Sequence, residues 1–298
     1  MALEKVNACP ICGGLQLIPF LICKDYTTSE ETFEIQKCSS CSFVLTNPRP
    51  DEFTIGKYYA SNSYISHNTK SKNLLDSVYF IARKLTLKWK KKLIQKYNGT
   101  GLLLDYGCGT GQFLTVCKKA GWNCYGIEPS ASARNIANQT SGISILEKYE
   151  DLGDKRFDVI TLWHVLEHVH DLNKLVSQLK SALKKNGTAF IAVPNHESED
   201  AKVYQHFWAG YDVPRHLWHF SKETMVLLLK KHSLQTKAIL PMKLDSTYVS
   251  ILSERYKSEE RQSIKGLLSG LYNGLNSNLK AKPTNNYSSL IYVCVAEE

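Results

Sequence analysis

LLLDYGCGTGQFL, Leu102 to Leu114, runs from an apolar strand into a glycine-rich turn and then into a helix. Three glycines, Gly107, Gly109 and Gly111, alternate with other residues, and Gln112 stands where a dinucleotide-binding G-x-G-x-x-G would need its third glycine. At the end of the strand lies an acid, Asp105. A carboxylate there repels a pyrophosphate but suits a ligand that carries an ammonium group. The pattern fits S-adenosylmethionine (SAM). The glycines let backbone approach the ligand, Asp105 sits close to its methionine end, and Glu128, closing the next strand in CYGIEPS, can accept both ribose hydroxyls.

Outward from this turn, strands and helices alternate. Leu102–Asp105 reads as a strand and Gln112–Ala120 as a helix. Trp122–Glu128 is a strand and a helix starts near Ser130. Ile143–Leu146 and Phe157–Leu162 are further strands. Asp171 caps a helix that runs to Lys185 before Asn186-Gly187, and Thr188–Pro194 follows as a strand. Ser221 caps KETMVLLLKKH, and Leu234–Leu240 and Ser289–Val295 are two late strands. Such alternation predicts an α/β fold, a parallel sheet with helices on both faces and ligands at the carboxyl ends of the strands.

DYGCGTG, GIEPS, FDVITLWHVLEHVHD, NGTAFIAVPN and the late strand pair, taken in order, resemble the class I SAM-dependent methyltransferases over roughly 102–240 plus the C-terminal strand. The resemblance implies a Rossmann-like sheet of seven strands, the last antiparallel and paired with the sixth. It also implies a cofactor site around Asp105, Tyr106, Gly107, Gly109, Gly111, Phe113, Glu128, Pro129 and Trp163. LWHVLEHVHD and GYDVPRHLWHFS are similar to quinone-biosynthesis O-methyltransferase-like bacterial enzymes. CSSCSFVLTNPRP and KYYASNSYISH resemble the zinc-bearing sugar C-methyltransferases. The two likenesses point to different small-molecule acceptors.

Cys9-Pro-Ile-Cys12 and Cys38-Ser-Ser-Cys41 form two Cys-X-X-Cys pairs among nine cysteines. Two such knuckles, joined by the strands LQLIPFLIC and TFEIQKC, complete a sulfur shell for a structural zinc ion; redox pairs or unligated thiols are the alternative. The predicted organisation is a zinc ribbon over 1–60, a basic amphipathic helical linker over 61–100 and a methyltransferase domain over 101–298. A helical insertion covers 243–287, with Gly266, Gly270 and Gly274 at four-residue intervals.

Composition bounds these readings. With 298 residues, 43% hydrophobic and 22% charged, the chain can build a substantial core. It contains no run of about 18 apolar residues, and its start lacks a signal-peptide pattern, so a cytoplasmic protein is expected. Eight lysines and arginines against Asp76 alone, between Lys72 and Lys96, carry +7 of the net +9. That localisation speaks against a nucleic-acid partner. Leu74, Val78, Ala82, Leu85, Trp89 and Leu93 recur at helical spacing, so the segment is either a packed helix with a solvated basic rim or a peripheral membrane contact through 72–97.

Methyl transfer needs an aligned nucleophile and a group to take its proton. His164, Glu167 and His168 share a face if the chain turns helically there. His164 and His168 are candidate bases. The quinone-enzyme resemblance implies a second, divalent cation near Glu167 and His168, although histidine in place of acid leaves zinc or no metal open. GYDVPRHLWHFS reads as a substrate-facing lid, in which Arg215 meets an anionic group and His216 assists catalysis; an Arg215–Asp212 ion pair is the alternative. The reaction expected is O-methylation of an aromatic, quinone-like or sugar hydroxyl. Sugar C-methylation, RNA methylation with the ribbon as clamp, and a SAM-sensing adaptor are the rivals. Oligomeric state is not written in the sequence.

Overall fold

Residues 3–59, 74–258 and 263–297 are described by a computed structural model. Residues 3–50 fold about the two cysteine knuckles. β1 (Leu3–Glu4) pairs with β5 (Arg49–Pro50), and β2 (Leu17–Lys24), β3 (Thr32–Cys38) and β4 (Val44–Thr46) form an antiparallel sheet. The knuckles are built alike. Gly13 and Ser42, each directly after a second cysteine, hold positive φ and donate their N–H to the carbonyls of Cys9 and Cys38, both at 2.9 Å.

α1 (Leu74–Asn98) follows. Its packed face differs from the predicted stripe. Leu85 and Trp89 are exposed, whereas Ile94 is fully buried with Leu87 and Leu93 against it, and Tyr97 meets Phe190 edge-on. Lys90 lies on that inner face and rotates the seam away from Trp89. The side chains of Leu74, Val78 and Ala82, together with Lys72 and most of KYYASNSYISHN, fall outside the described residues.

The main sheet has six strands in the order β11-β12-β9-β8-β6-β7. β6 (Leu102–Tyr106) lies between parallel β7 (Asn123–Ile127) and β8 (Phe157–Trp163), which explains its unbroken apolar run: Leu103 and Leu104 are buried from both faces. β9 (Leu183–Pro194) extends the parallel set, and β12 (Ser289–Ala296) inserts antiparallel between β9 and β11 (Leu234–Pro241). The chain goes to one side from β6 to β7 and to the other at β8. The switch point therefore opens at the carboxyl ends of β6 and β8. The predicted strand Ile143–Leu146 is only a bridge, Ile127 to Leu146, so six strands stand where seven were expected.

Helices α2 (Gln112–Lys118), α3 (Ala131–Ser141), α4 (Leu172–Ala182), α5 (Glu199–Tyr204) and α6 (Lys222–Lys231) connect the strands. Asp171 caps α4 by accepting from the Lys174 N–H at 2.9 Å. This helix stops at Ala182 rather than Lys185 because Leu183 already pairs with Phe157 in β8. Gly187 permits that early strand: a Cβ there would lie 2.7 Å from the Phe157 carbonyl oxygen. The insertion before β12 is a helical hairpin, α7 (Lys243–Ser258) and α8 (Ile264–Ala281).

β10 (Trp218–His219) joins β4 of the ribbon sheet, Trp218 opposite Leu45. The ribbon is thus continuous with the segment GYDVPRHLWHFS, and that segment is not an open lid. Tyr211, Val213, Arg215, Leu217, Trp218, His219 and Phe220 are all buried.

Candidate active site at the carboxyl ends of β6 and β8

The glycine turn leaves β6 with positive φ at Gly107, Gly109 and Gly111. A Cβ at Gly107 would meet Val165 at 2.5 Å, whereas one at Gly109 would meet nothing within 4 Å. The turn thus packs against the protein at one glycine and presents bare backbone outward at the other. The N–H groups of Gly107 and Cys108 both donate to Ile127 O, tying the turn to β7. Glu128 receives the Gly109 N–H at 2.8 Å and the Ser130 N–H at 2.9 Å, so its carboxylate is held between turn and helix with lone pairs remaining on both oxygens. Pro129 follows at the surface, and Tyr106 is half-buried at the strand end.

Asp105 is buried and accepts from Thr161 Oγ1 at 2.6 Å. Burial pushes its carboxyl up to about 7 against the pull of that hydrogen bond. Trp163, ending β8, packs edge-on to Phe113 at 5.5 Å between centroids, and its indole N–H is buried without a partner. The ammonium of Lys90 lies 4.3 Å from the Trp163 ring centre. Burial lowers its pKa, and Asp245 and Asp105 act in the other direction. Lys90 was not legible as a site residue: it is one of eight cations in a basic stretch, and only its place on the face of Leu87 and Ile94 sets it apart.

After β8 the chain turns at His164, which adopts φ 59°. Its Nε2 is 3.0 Å from Asp245 and its Nδ1 is 3.2 Å from Glu167. Burial opposes its charge, but the two carboxylates outweigh it and raise the imidazole to about 9. His168 is the opposite case. Burial and the neighbouring His216 press its pKa down to about 4. Its Nδ1 lies 3.0 Å from both Tyr59 Oη and Arg215 O, and its ring centroid is 4.6 Å from that of His216. His216 in turn contacts Gly210 O at 2.8 Å through Nδ1.

Glu167 is fully buried, and burial would raise its pKa, but His164, His168 and His216 keep it below the ordinary carboxylate value. Its Oε2 has no hydrogen-bond partner. Ligand atoms from Glu167, His168 and His216 all lie within 4.8 Å of one another. The set shares Glu167 and His168 with the expected cation position and adds His216. His164, the third residue of the predicted face, is engaged with Asp245.

The Arg215 guanidinium is engaged by groups of the protein itself. Its guanidinium pairs with Asp212 (Nη2 to Oδ1 2.6 Å, Nε to Oδ2 3.0 Å) and with Asp25 at 2.9 Å, and it donates to Tyr58 O at 3.0 Å. At 1% exposure it is a clasp between the ribbon and the segment that carries His216. The Asp25 partner lies 190 residues away in sequence, so only the Asp212 half of the clasp was visible beforehand.

At the ribbon tip Cys9 Sγ is 3.5 Å from Cys41 Sγ and Cys12 Sγ is 3.6 Å from Cys38 Sγ; all four sulfurs lie within 4.8 Å of one another. Zinc–sulfur bonds of about 2.3 Å in a tetrahedron place sulfurs about 3.8 Å apart, so the cluster is close to that geometry.

Residues 79–237 match the methyltransferase-domain family. The ubiquinone biosynthesis O-methyltransferase of Actinobacillus pleuropneumoniae serotype 7 is 32% identical over 116 residues, covering 34% of this chain and 50% of that protein. The enzyme of the same name from Pelagibacter ubique is 30% identical over 176 residues, covering 54% of this chain and 71% of that protein. The chain thus spans half the length of the first of these relatives. A SAM-dependent methyltransferase structure from Archaeoglobus fulgidus superposes with a TM-score of 0.48 at 18% identity, covering 71% of this chain and 93% of that one.

Proposed function

Because the chain belongs to the methyltransferase-domain family, we propose that it is a SAM-dependent methyltransferase that transfers the methyl group to a hydroxyl of a small aromatic, quinone-like acceptor. The acceptor would lie beside Glu167, His168 and His216. The observation that carries this reading is the pairing of a glycine turn at β6 with an unprotonated imidazole, His168, and a carboxylate with a bare buried oxygen, Glu167, after β8. The names of the bacterial relatives support the same acceptor class.

The cofactor roles follow from chemistry. Gly109 offers close backbone approach, and Glu128 accepts from the ribose hydroxyls with its remaining lone pairs. Asp105 faces the methionyl ammonium. Lys90, a half-buried cation with no carboxylate in direct contact among the described residues, answers the methionyl carboxylate. Trp163 and Phe113 wall the sulfonium end.

Transfer is an in-line displacement in which the acceptor oxygen bonds to the methyl carbon as the carbon–sulfur bond breaks. The hydroxyl proton passes to His168 Nε2, its Nδ1 being held by Tyr59 and the Arg215 carbonyl, and ionised Glu167 stabilises the imidazolium that forms. His164, already charged, is a positioning residue here and not the base. Glu167, His168 and His216 also fit a divalent cation, since the orphaned Oε2 and two imidazoles make a mixed O/N donor set; such an ion would lower the acceptor hydroxyl's pKa. Cys9, Cys12, Cys38 and Cys41 would hold a structural zinc ion through four thiolates, which would leave it no position for substrate.

The test is incubation with SAM and a panel of polyhydroxylated benzoates, with mass spectrometry of the products. An O-methyl product that His168→Ala reduces at least about a hundredfold, with S-adenosylhomocysteine binding retained, is the expected result. Methylation only of a ketosugar carbon, or only of RNA, would replace the acceptor assignment; nothing in the site favours either.

A further inference from the structure

The hairpin α7–α8 is inside out for a helix pair that faces water. Its seam is made of small residues: Ser246, Ser250 and Ser253 from α7 against Gly270, Gly274 and Ser277 from α8, all buried. The approach leaves no room for a side chain. A Cβ on Gly270 would lie 2.6 Å from the Ile251 Cα, and one on Gly274 2.5 Å from the Thr247 Cα. The large apolar residues stand on the other side. Ile264, Leu268, Tyr272, Leu275 and Leu279 are 79, 61, 69, 59 and 59% exposed. At 3.6 residues per turn they fall within an arc of about 80°, opposite the seam, and run about 23 Å along the helix axis.

Small residues between helices with bulky apolar residues outward is the arrangement of helices whose outer solvent is lipid. In water such a stripe should be covered. Charge then selects the kind of surface. α8 contains no acid, and Lys243, Arg255, Lys257, Lys265 and Lys282 are exposed at the two ends of the hairpin. The two acids of α7 are turned inward, Asp245 onto His164 and Glu254 onto Tyr204 and Ser269, and in sequence Glu259 and Glu260 of the connection are outnumbered by Arg255, Lys257, Arg261 and Lys265. Lys280 pairs with Glu199 at 2.5 Å. No helix among the described residues is long and apolar enough to cross a membrane, so the geometry is that of a helix lying in the interface.

We infer that the outer face of α8 docks the protein on an anionic lipid surface, with the stripe from Ile264 to Leu279 in the acyl boundary and the flanking cations at the headgroups. The place of the hairpin in the fold gives this docking a consequence. Asn278 donates to Lys243 O at 2.8 Å, which joins the end of α8 to the start of α7, and two residues further on Asp245 touches His164. The lipid-facing stripe therefore ends beside the active site. The inference goes beyond the acceptor proposed above and does not depend on it.

The test is flotation of the full chain with vesicles of phosphatidylcholine alone and of phosphatidylcholine mixed with phosphatidylglycerol, for wild type and for Leu268→Glu/Leu275→Glu. Both substituted positions are exposed, and calorimetry with S-adenosylhomocysteine checks that the variant keeps its cofactor site. Wild type should float with the anionic vesicles, and the variant should partition at least about tenfold less while still binding S-adenosylhomocysteine. The inference is overturned if wild type stays unbound with both vesicles or if the variant floats equally. It is also overturned if sedimentation shows a wild-type dimer that the variant splits, which would make a second copy the occupant. Failure of S-adenosylhomocysteine to bind wild type would instead strike the methyltransferase reading and leave the flotation result standing.

Discussion

His164 Nε2 and Asp245 meet at 3.0 Å, joining the turn after β8 to the first turn of α7. The pair decides which histidine can take a proton. With Glu167 on its other nitrogen, His164 is an imidazolium at neutral pH, its pKa raised to about 9. In Asp245→Asn the stronger partner is lost while burial and Glu167 remain. The His164 titration should fall by at least about one unit. A two-dimensional NMR titration of the imidazole nitrogens reads this directly, and an unmoved midpoint would show that the contact does not hold in solution.

Asp105 makes cofactor binding depend on pH. Its folded value is raised to about 7, so below that pH the carboxyl is neutral and cannot attract the methionyl ammonium. Binding favours the ionised form and releases a proton. Affinity for S-adenosylhomocysteine should therefore rise between about pH 6 and 8, by up to about tenfold per pH unit on the acid side. Asp105→Asn should flatten the profile. Calorimetry in two buffers of different ionisation enthalpy would detect the released proton.

Lys90 separates the two ends of the ligand. Its half-buried ammonium over Trp163 is matched to a carboxylate, which S-adenosylhomocysteine has and methylthioadenosine lacks. Lys90→Met should weaken the former by about 2 kcal/mol and leave the latter nearly unchanged. Equal losses for both ligands would assign Lys90 to packing of α1 instead.

The sequence and the structure agree where local pattern and global placement coincide. The turn at Gly107–Gly111, the strand on each side and the acid at Glu128 are local features, and each lies where its spacing implies. Disagreements arise where a distant partner decides. The Arg215–Asp212 pair was readable but the second half of the clasp was not, because Asp25 comes from the ribbon. The exposure of Leu85 and Trp89 was hidden because a lysine, not an apolar residue, fills the inner register of α1. Asp245 opens a helix after β11 and has no local signal for its role; only the fold brings it to His164.

Zinc removal should reach the catalytic half through β4. The knuckles shape the sheet β2–β3–β4, and β4 is paired with β10, two residues from His216. Cys12→Ser lies at an exposed sulfur, so it should remove metal with little direct loss of core packing. Metal analysis should show zinc near one per chain in wild type and near zero in the variant. Melting temperature and methyl transfer should both decline, and a zinc-free variant with wild-type melting would refute the structural assignment.

The clasp Asp25–Arg215–Asp212 sets acid tolerance. Asp25 is fully buried; burial alone would raise its pKa, but the Arg215 guanidinium and the Ser29 hydrogen bonds hold it below the ordinary 3.8. A depressed carboxylate contributes stability that is complete above its unfolded value and is lost as pH falls through its folded value. Asp25→Asn leaves Arg215 with one carboxylate in a site almost without solvent. At neutral pH it should cost about 3 kcal/mol in chemical denaturation, and the gap from wild type should narrow below about pH 4 as wild-type Asp25 takes up its proton. Arg215 O also holds His168 Nδ1, so the variant should lose turnover beyond what its unfolded fraction explains. A variant with full specific activity and an unchanged acid limb would show that the clasp is only a contact.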